Sequence, residues 1–98
     1  MKAGEQKYPP TQCVAIDVDN TLDHAGTVDD RVVDMAKRMK RDGFEVILWS
    51  ARGKAHAQRV AEAHGVNDLF DVIISKPGMI VDDQGWRWTR YTRRLTVQ

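Results

Sequence analysis

The sequence predicts an α/β protein: a Rossmann-like three-layer sandwich with a mainly parallel sheet. Apolar, β-branched runs begin at Cys13 and Phe44, and each is followed by a segment whose apolar residues recur at helical spacing. Strand, helix, strand and helix in succession favour parallel strands joined by right-handed crossovers. Because ligands gather at the carboxyl ends of such strands, the residues that directly follow each strand are candidates for a functional site.

One domain accounts for the chain of 98 residues, of which 30% are charged and 42% hydrophobic. Residues 1–12 are polar and contain Pro9-Pro10, so we expect a flexible tail followed by a single domain over residues 13–98. The net charge of +1 points to no particular partner. Cys13 is the only cysteine, which rules out an internal disulfide, and no apolar run is long enough to span a membrane. We therefore expect a cytoplasmic protein without membrane contact.

The predicted strands are residues 13–18, 44–49, 71–75 and 79–81, and the predicted helices are residues 28–42 and 54–64. Thr27 with Asp30 resembles the capping box that begins a helix, and Gly43 and Gly65 end the two helices. The last two strands are separated by too few residues to be parallel neighbours. This leaves open that residues 71–75 form only an edge segment.

Two carboxylates mark the end of the first strand. Asp17 and Asp19 are two residues apart, so on a regular strand they share a face and repel unless a cation or a proton lies between them. The pair therefore indicates a metal, while an ordinary turn is the alternative. An EF-hand loop does not fit, because its sixth and twelfth positions would be Leu22 and Val28 instead of Gly and Glu.

Four motifs follow one another along the chain: D-x-D-x-T from Asp17, then Ser50, then Lys76, then an apolar run into Asp82-Asp83. Together with the first strand they span residues 13–83, and in this order they resemble the motifs of the haloacid dehalogenase superfamily of phosphohydrolases. The resemblance implies that Asp17 is the nucleophile that forms an aspartyl phosphate. It implies that Asp19 is the general acid and base, and that Mg²⁺ is the cofactor. The implied metal ligands are Asp17, Asp19, Asp82 and Asp83, and the implied phosphate-binding residues include Ser50 and Lys76.

Three of these assignments have competing interpretations. Ser50 is also a plausible strand-end turn residue, and Asp82-Asp83 with the following Gln-Gly also suits a surface turn. Only five residues separate Lys76 from the acidic pair. Fully extended, they would move the chain roughly 17 Å, which could leave Lys76 at the far end of the sheet from Asp17. We therefore include Arg52 as a substitute phosphate-binding cation. Ser50-x-Arg52 also resembles the phosphatase domain of phage polynucleotide kinases.

The chain leaves no room for the cap domain that many superfamily members insert. Water exclusion must then come from a large substrate or an oligomeric neighbour, or be absent, which favours a polynucleotide or another large phosphoester and allows a homo-oligomer. Residues 86–94 contain four arginines, three aromatic residues and no acid, a mixture typical of nucleic-acid contacts. The alternative is that Trp88, Tyr91 and Leu95 pack a final element on the sheet.

The sequence thus predicts a Mg²⁺-dependent phosphomonoester hydrolase. A hypothesis from a different class is a non-catalytic binding module with the same fold, which would use the basic aromatic segment to hold nucleic acid or a protein partner.

Overall fold

The computed structural model describes residues 11–97, so the predicted tail lies almost wholly outside the described residues. The strands are β1 (Cys13–Asp17), β2 (Asp23–His24), β3 (Thr27–Val28), β4 (Glu45–Ser50) and β5 (Val72–Ser75), and the α-helices are α1 (Asp30–Arg41) and α2 (Lys54–Ala63). Two 3₁₀ segments cover Asn67–Leu69 and Gly85–Tyr91. Within residues 11–97, no helix has the length and apolar character needed to cross a membrane.

The main sheet has the order β1-β4-β5, and both of its strand pairs are parallel. The predicted α/β architecture with a parallel sheet is therefore confirmed. Strand β5 pairs with β4 over four residues, so residues 71–75 form a true edge strand of this sheet. In this register Asp17 lies opposite Trp49, and Ser50 lies opposite Ser75, which brings the carboxyl ends of all three strands to one edge.

Both α-helices contribute to one hydrophobic core against one face of the sheet. Its buried residues are Ile16, Val18, Leu22, Val32, Val33, Ala36, Val46, Leu48, Ala57, Ala61 and Phe70. Alternation along β4 directs Val46 and Leu48 into this core, whereas Ile47 and Trp49 lie on the other face and line an open groove.

The start of α1 differs from the prediction. Thr27 does not cap the helix, because it belongs to the β2-β3 hairpin, which turns through Ala25 and Gly26 at positive φ. The N-cap is Asp29, whose side chain accepts a hydrogen bond from the backbone N–H of Arg31. The hairpin uses the backbone of Thr27 for strand pairing, and the cap moves two residues along the chain.

The predicted strand at residues 79–81 is wrong. Met79 is 92% exposed, and neither it nor the next two residues pairs with another strand. After Lys76 the chain meets Pro77, which has no N–H to donate, and leaves the sheet. Asp82 therefore does not follow a strand, and β1 has a pairing partner on only one side among the described strands.

Candidate active site

Parallel pairing places Lys76 beside Asp17. The backbone N–H of Lys76 donates to the carbonyl of Ser50 at 2.9 Å, and its Nζ lies 3.4 Å from Asp17 Oδ1. The ammonium also lies 5.6 Å from the ring centroid of Trp49, within the range of a cation–π contact. The idea that the short link to Asp82 puts Lys76 at the far end of the sheet is therefore wrong, because Lys76 directly follows β5 at the same edge as Asp17.

Asp19 lies in a tight loop after β1. Asn20 adopts a φ of 61° and donates its N–H to the carbonyl of Asp23 at 2.8 Å. Asn tolerates this left-handed conformation better than most residues. The next residue but one, Leu22, is fully buried and donates its N–H to the carbonyl of Asp17 at 3.3 Å. The buried leucine thus fixes the loop that holds Asp19.

Two side chains contact the same oxygen of Asp19. Arg52 Nη1 lies 3.3 Å from Oδ1, and His56 Nε2 lies 3.2 Å from the same atom. They differ in exposure, since the Arg52 side chain is 66% exposed and that of His56 only 13%. His56 is not among the site residues that the sequence motifs indicate. Its position in the first turn of the helix that follows Ser50 could have indicated that it lies near the site.

Ser50 is buried at the end of β4, where its Oγ accepts the backbone N–H of Arg52 at 3.0 Å. This is the local bond expected of a strand-end turn residue, and it leaves the hydroxyl proton available for a phosphate oxygen. Ser75, one strand further, accepts the N–H of Lys54 at 2.8 Å and so holds the N-terminus of α2, which begins after Gly53 at a φ of 102°.

The flap formed by β2 and β3 is tied to the rest of the domain by two carboxylates. Asp23 Oδ1 lies 2.6 Å from His64 Nε2 at the end of α2, and this hydrogen bond lowers the pKa of Asp23. At Asp29, hydrogen bonds first from Arg31 and then from His24 hold the pKa of the carboxyl well below its usual range. Both carboxylates stabilise the flap when they are ionised.

Asp82 and Asp83 form an exposed turn in the structure. Asp82 Oδ1 accepts the N–H of Gln84 at 2.8 Å, Asp83 Oδ2 accepts the Gln84 side-chain amide at 3.2 Å, and Gly85 donates its N–H to the carbonyl of Asp82 at 3.1 Å. This is the surface turn that was the alternative interpretation. Among residues 11–97, no three His, Cys, Asp or Glu side chains gather closely enough to hold an ion. Within these residues, Asp82 and Asp83 therefore do not form a closed cluster with Asp17 and Asp19.

The remaining donors still suit one kind of metal site. Asp17 presents a half-exposed carboxylate at the sheet edge. Mg²⁺ usually keeps several water ligands and binds one or two carboxylates together with substrate phosphates. The oxygen donors at this edge therefore fit Mg²⁺ better than a metal that requires a complete protein cage.

An open groove of about 2290 Å³ is lined by Asp17, Lys76, Asp82 and Asp83 together with Trp86 and residues 88–95. This volume exceeds the roughly 300 to 1,000 Å³ of small-molecule pockets. Trp86 is 72% exposed, so it does not pack onto the sheet. The basic aromatic segment forms a wall of the groove.

A comparison with family models matches residues 14–98 to the haloacid dehalogenase-like hydrolases. Searches of curated proteins and of solved structures each gave no significant match. The matched region contains both aspartates of the first motif, Ser50, Lys76 and the later acidic pair. The chain belongs to the haloacid dehalogenase-like hydrolase family.

Proposed function

We propose that this hydrolase is a capless, Mg²⁺-dependent phosphomonoesterase that uses an aspartyl-phosphate intermediate. The observation that carries the proposal is the contact of 3.4 Å between Asp17 Oδ1 and Lys76 Nζ, with Asp19 two residues after Asp17. A cation beside the nucleophile attracts the phosphoryl dianion that an isolated carboxylate would repel.

In the proposed reaction, a carboxylate oxygen of Asp17 attacks phosphorus, and the bond from phosphorus to the leaving oxygen breaks. Asp19 gives its proton to that oxygen. Asp19 then removes a proton from water, which attacks the aspartyl phosphate and regenerates the carboxylate of Asp17 with release of inorganic phosphate. The hydroxyl of Ser50, the ammonium of Lys76 and the guanidinium of Arg52 bind the phosphate oxygens.

Mg²⁺ would be held by the Asp17 carboxylate and the Asp19 backbone carbonyl, with a carboxylate of Asp82 or Asp83 as a further ligand. The bound ion would neutralise phosphate charge during transfer. Both late acids are exposed and line the same groove as Asp17, which supports this assignment.

Replacing Asp17 with Asn tests the chemistry. The amide is nearly isosteric but is a poor nucleophile, so hydrolysis of an aryl phosphate with Mg²⁺ at neutral pH should fall to background. Asp68→Asn is the matched control, because Asp68 is an exposed aspartate on the 3₁₀ segment Asn67–Leu69. An Asp17→Asn protein with an unchanged rate would eliminate the proposal. Chelation of divalent ions should also stop the wild-type reaction, and added Mg²⁺ should restore it.

A narrower proposal concerns the substrate, for which we infer a polynucleotide end or another large phosphoester. The exposed Trp86 and the arginines of residues 86–94 support it, because aromatic rings stack on bases and arginines contact phosphates. The Ser50-x-Arg52 spacing, which resembles that of phage polynucleotide kinases, agrees with it.

Charge reversal tests this substrate class. Arg93→Glu combined with Arg94→Glu should raise KM for 3′- or 5′-phosphorylated oligonucleotides and leave an aryl phosphate unaffected. Lys37→Glu with Arg38→Glu makes the same charge change on exposed residues of α1 and serves as the control. A wild-type enzyme that does not prefer oligonucleotides to sugar phosphates would exclude the proposal.

A second candidate is a non-catalytic binding module, favoured by the finding that no cluster of metal-binding side chains forms within residues 11–97. It predicts salt-sensitive oligonucleotide binding that Asp17→Asn does not change, with no turnover in Mg²⁺. We also propose a cytoplasmic location, from the single cysteine, and a homo-oligomer in which a neighbouring copy shields the open site.

A further inference from the structure

We propose that His56 is a positioning residue for Asp19, which holds one carboxylate oxygen so that the other faces the leaving group. The inference rests on the proposed hydrolase function. It adds a residue that the family motifs quoted above do not contain.

The contacts of Asp19 with His56 and Arg52 involve the same carboxylate oxygen, Oδ1. His56 Nε2 and Arg52 Nη1 lie 3.2 Å and 3.3 Å from Oδ1, and Oδ2 makes no side-chain hydrogen bond within residues 11–97. A general acid needs one oxygen free to carry the transferred proton in the direction of the leaving group. The structure therefore divides the carboxyl group of Asp19 into a held oxygen and a free one.

The two partners cannot share the positioning role equally. Arg52 is mostly exposed, and an exposed ion pair loses much of its strength to solvent and to side-chain entropy. Arg52 is also the side chain we propose to bind substrate phosphate, which would draw it away from Asp19. His56 is largely buried, so its contact with Asp19 is the more persistent of the two.

The backbone that carries His56 is held in place. The N–H of Lys54 donates to Ser75 Oγ at 2.8 Å, and the N–H of Gly53 donates to the carbonyl of Ser50 at 3.0 Å. One residue after His56, Ala57 is fully buried in the core. The first turn of α2 is thus fixed to the ends of β4 and β5, and it presents the imidazole to Asp19 from a rigid support.

The proton balance requires no transfer to His56. In the tautomer with its proton on Nε2, His56 donates to Oδ1 both when Oδ2 carries the proton and when the carboxyl group is ionised. Asp19 gives the Oδ2 proton to the leaving oxygen and later takes one from the attacking water. His56 ends the cycle as it began it.

Leaving-group dependence provides the test. An aryl phosphate has a good leaving group and needs little help from a general acid, whereas an alkyl phosphate needs full proton donation. The measured quantity is the ratio of kcat/KM for an alkyl phosphate to kcat/KM for an aryl phosphate, which reports the step that forms the aspartyl phosphate. His56→Ala should lower this ratio by about tenfold, a fraction of the roughly 10²-fold or greater effect of a general acid.

Two amide variants control for folding and volume. Gln can present an N–H at about the reach of Nε2, so His56→Gln should restore most of the ratio. Asn is too short, so His56→Asn should stay near the Ala value. His64→Ala removes a similar contact between a histidine and an aspartate, but with Asp23 of the flap, and it should leave the ratio at the wild-type value.

A double-mutant cycle adds a second readout, because His56→Ala in an Asp19→Asn background should cause no further loss. Equal ratios for the Gln and Asn variants, or equal losses for the two substrates, would overturn the role of His56. If instead the wild-type activity survives Asp17→Asn, the proposed hydrolase mechanism itself has failed, so the two failures are distinguishable.

Discussion

Leu22 fixes the loop between Asp17, Asp19 and the flap, and its replacement by Ala should destabilise the protein strongly. The side chain is 0% exposed, and its backbone joins two parts of the site. Its N–H donates to the carbonyl of Asp17, and its carbonyl accepts the N–H of Asp29 at 2.8 Å. Leu22→Ala removes buried methyl and methylene groups where the chain has little freedom to collapse.

The magnitude follows from burial. Leu22→Ala removes three carbons, and at about 0.8 kcal/mol for each buried carbon the lost transfer free energy is about 2.4 kcal/mol. The residual cavity adds to this, so the free energy of unfolding should fall by about 3 kcal/mol. A domain of this size loses roughly 4 to 8 °C in Tm for each kcal/mol, which gives a decrease of about 15 °C.

Urea unfolding followed by tryptophan fluorescence measures the change. The matched control is Leu95→Ala, the same substitution at a residue that is 46% exposed, and its loss should be only about 1 kcal/mol. Equal losses for Leu22→Ala and Leu95→Ala would refute the reasoning, because burial would then not determine the cost.

Three further predictions concern charge and phosphate binding. The lowered pKa of Asp23 contributes stability that is complete above the unfolded carboxyl pKa, near 4, and is lost as pH falls through the lower folded pKa. The urea concentration at the unfolding midpoint should therefore decrease as the pH falls below about 4, and Asp23→Asn should make this decrease smaller. Identical pH profiles for the wild-type and Asp23→Asn proteins would contradict the prediction. Ser50→Ala should raise KM for a phosphomonoester, whereas Ser75→Ala should lower Tm without changing KM; equal KM effects would contradict the distinction. Lys76→Met should reduce kcat/KM more than Arg52→Met, because Lys76 contacts the Asp17 carboxylate whereas Arg52 contacts Asp19; the reverse order would make Arg52 the main phosphate-binding cation.

The sequence identified some residues of the candidate site but not others. Asp17 and Ser50 were identifiable because each directly follows an apolar run, and local pattern determines where a strand ends. Lys76 was included as a phosphate-binding residue, but its position relative to Asp17 stayed open, because its distance along the chain to Asp82 does not determine which edge of the sheet the end of β5 reaches. His56 was missed, because its contact with Asp19 joins residues 37 positions apart through the packing of α2 on the sheet.

The region before Asp82-Asp83 also shows that a local pattern does not determine strand pairing. An apolar run followed by Asp82-Asp83 has the local pattern of a strand end, yet residues 79–81 remain exposed and unpaired. Pairing depends on a neighbour being reachable, and the link from Lys76 is too short to form a crossover.

By itself, the sequence determined the alternation of strands and helices and the presence of two carboxylates at and just after the end of β1, because these depend on short-range periodicity and turn chemistry. The tertiary structure alone decided which strand ends meet, that Lys76 lies beside Asp17, and that one histidine holds Asp19. The physical reason is that hydrogen-bond register and core packing act between residues far apart in the chain. The residues adjacent in sequence therefore do not determine hydrogen-bond register or core packing.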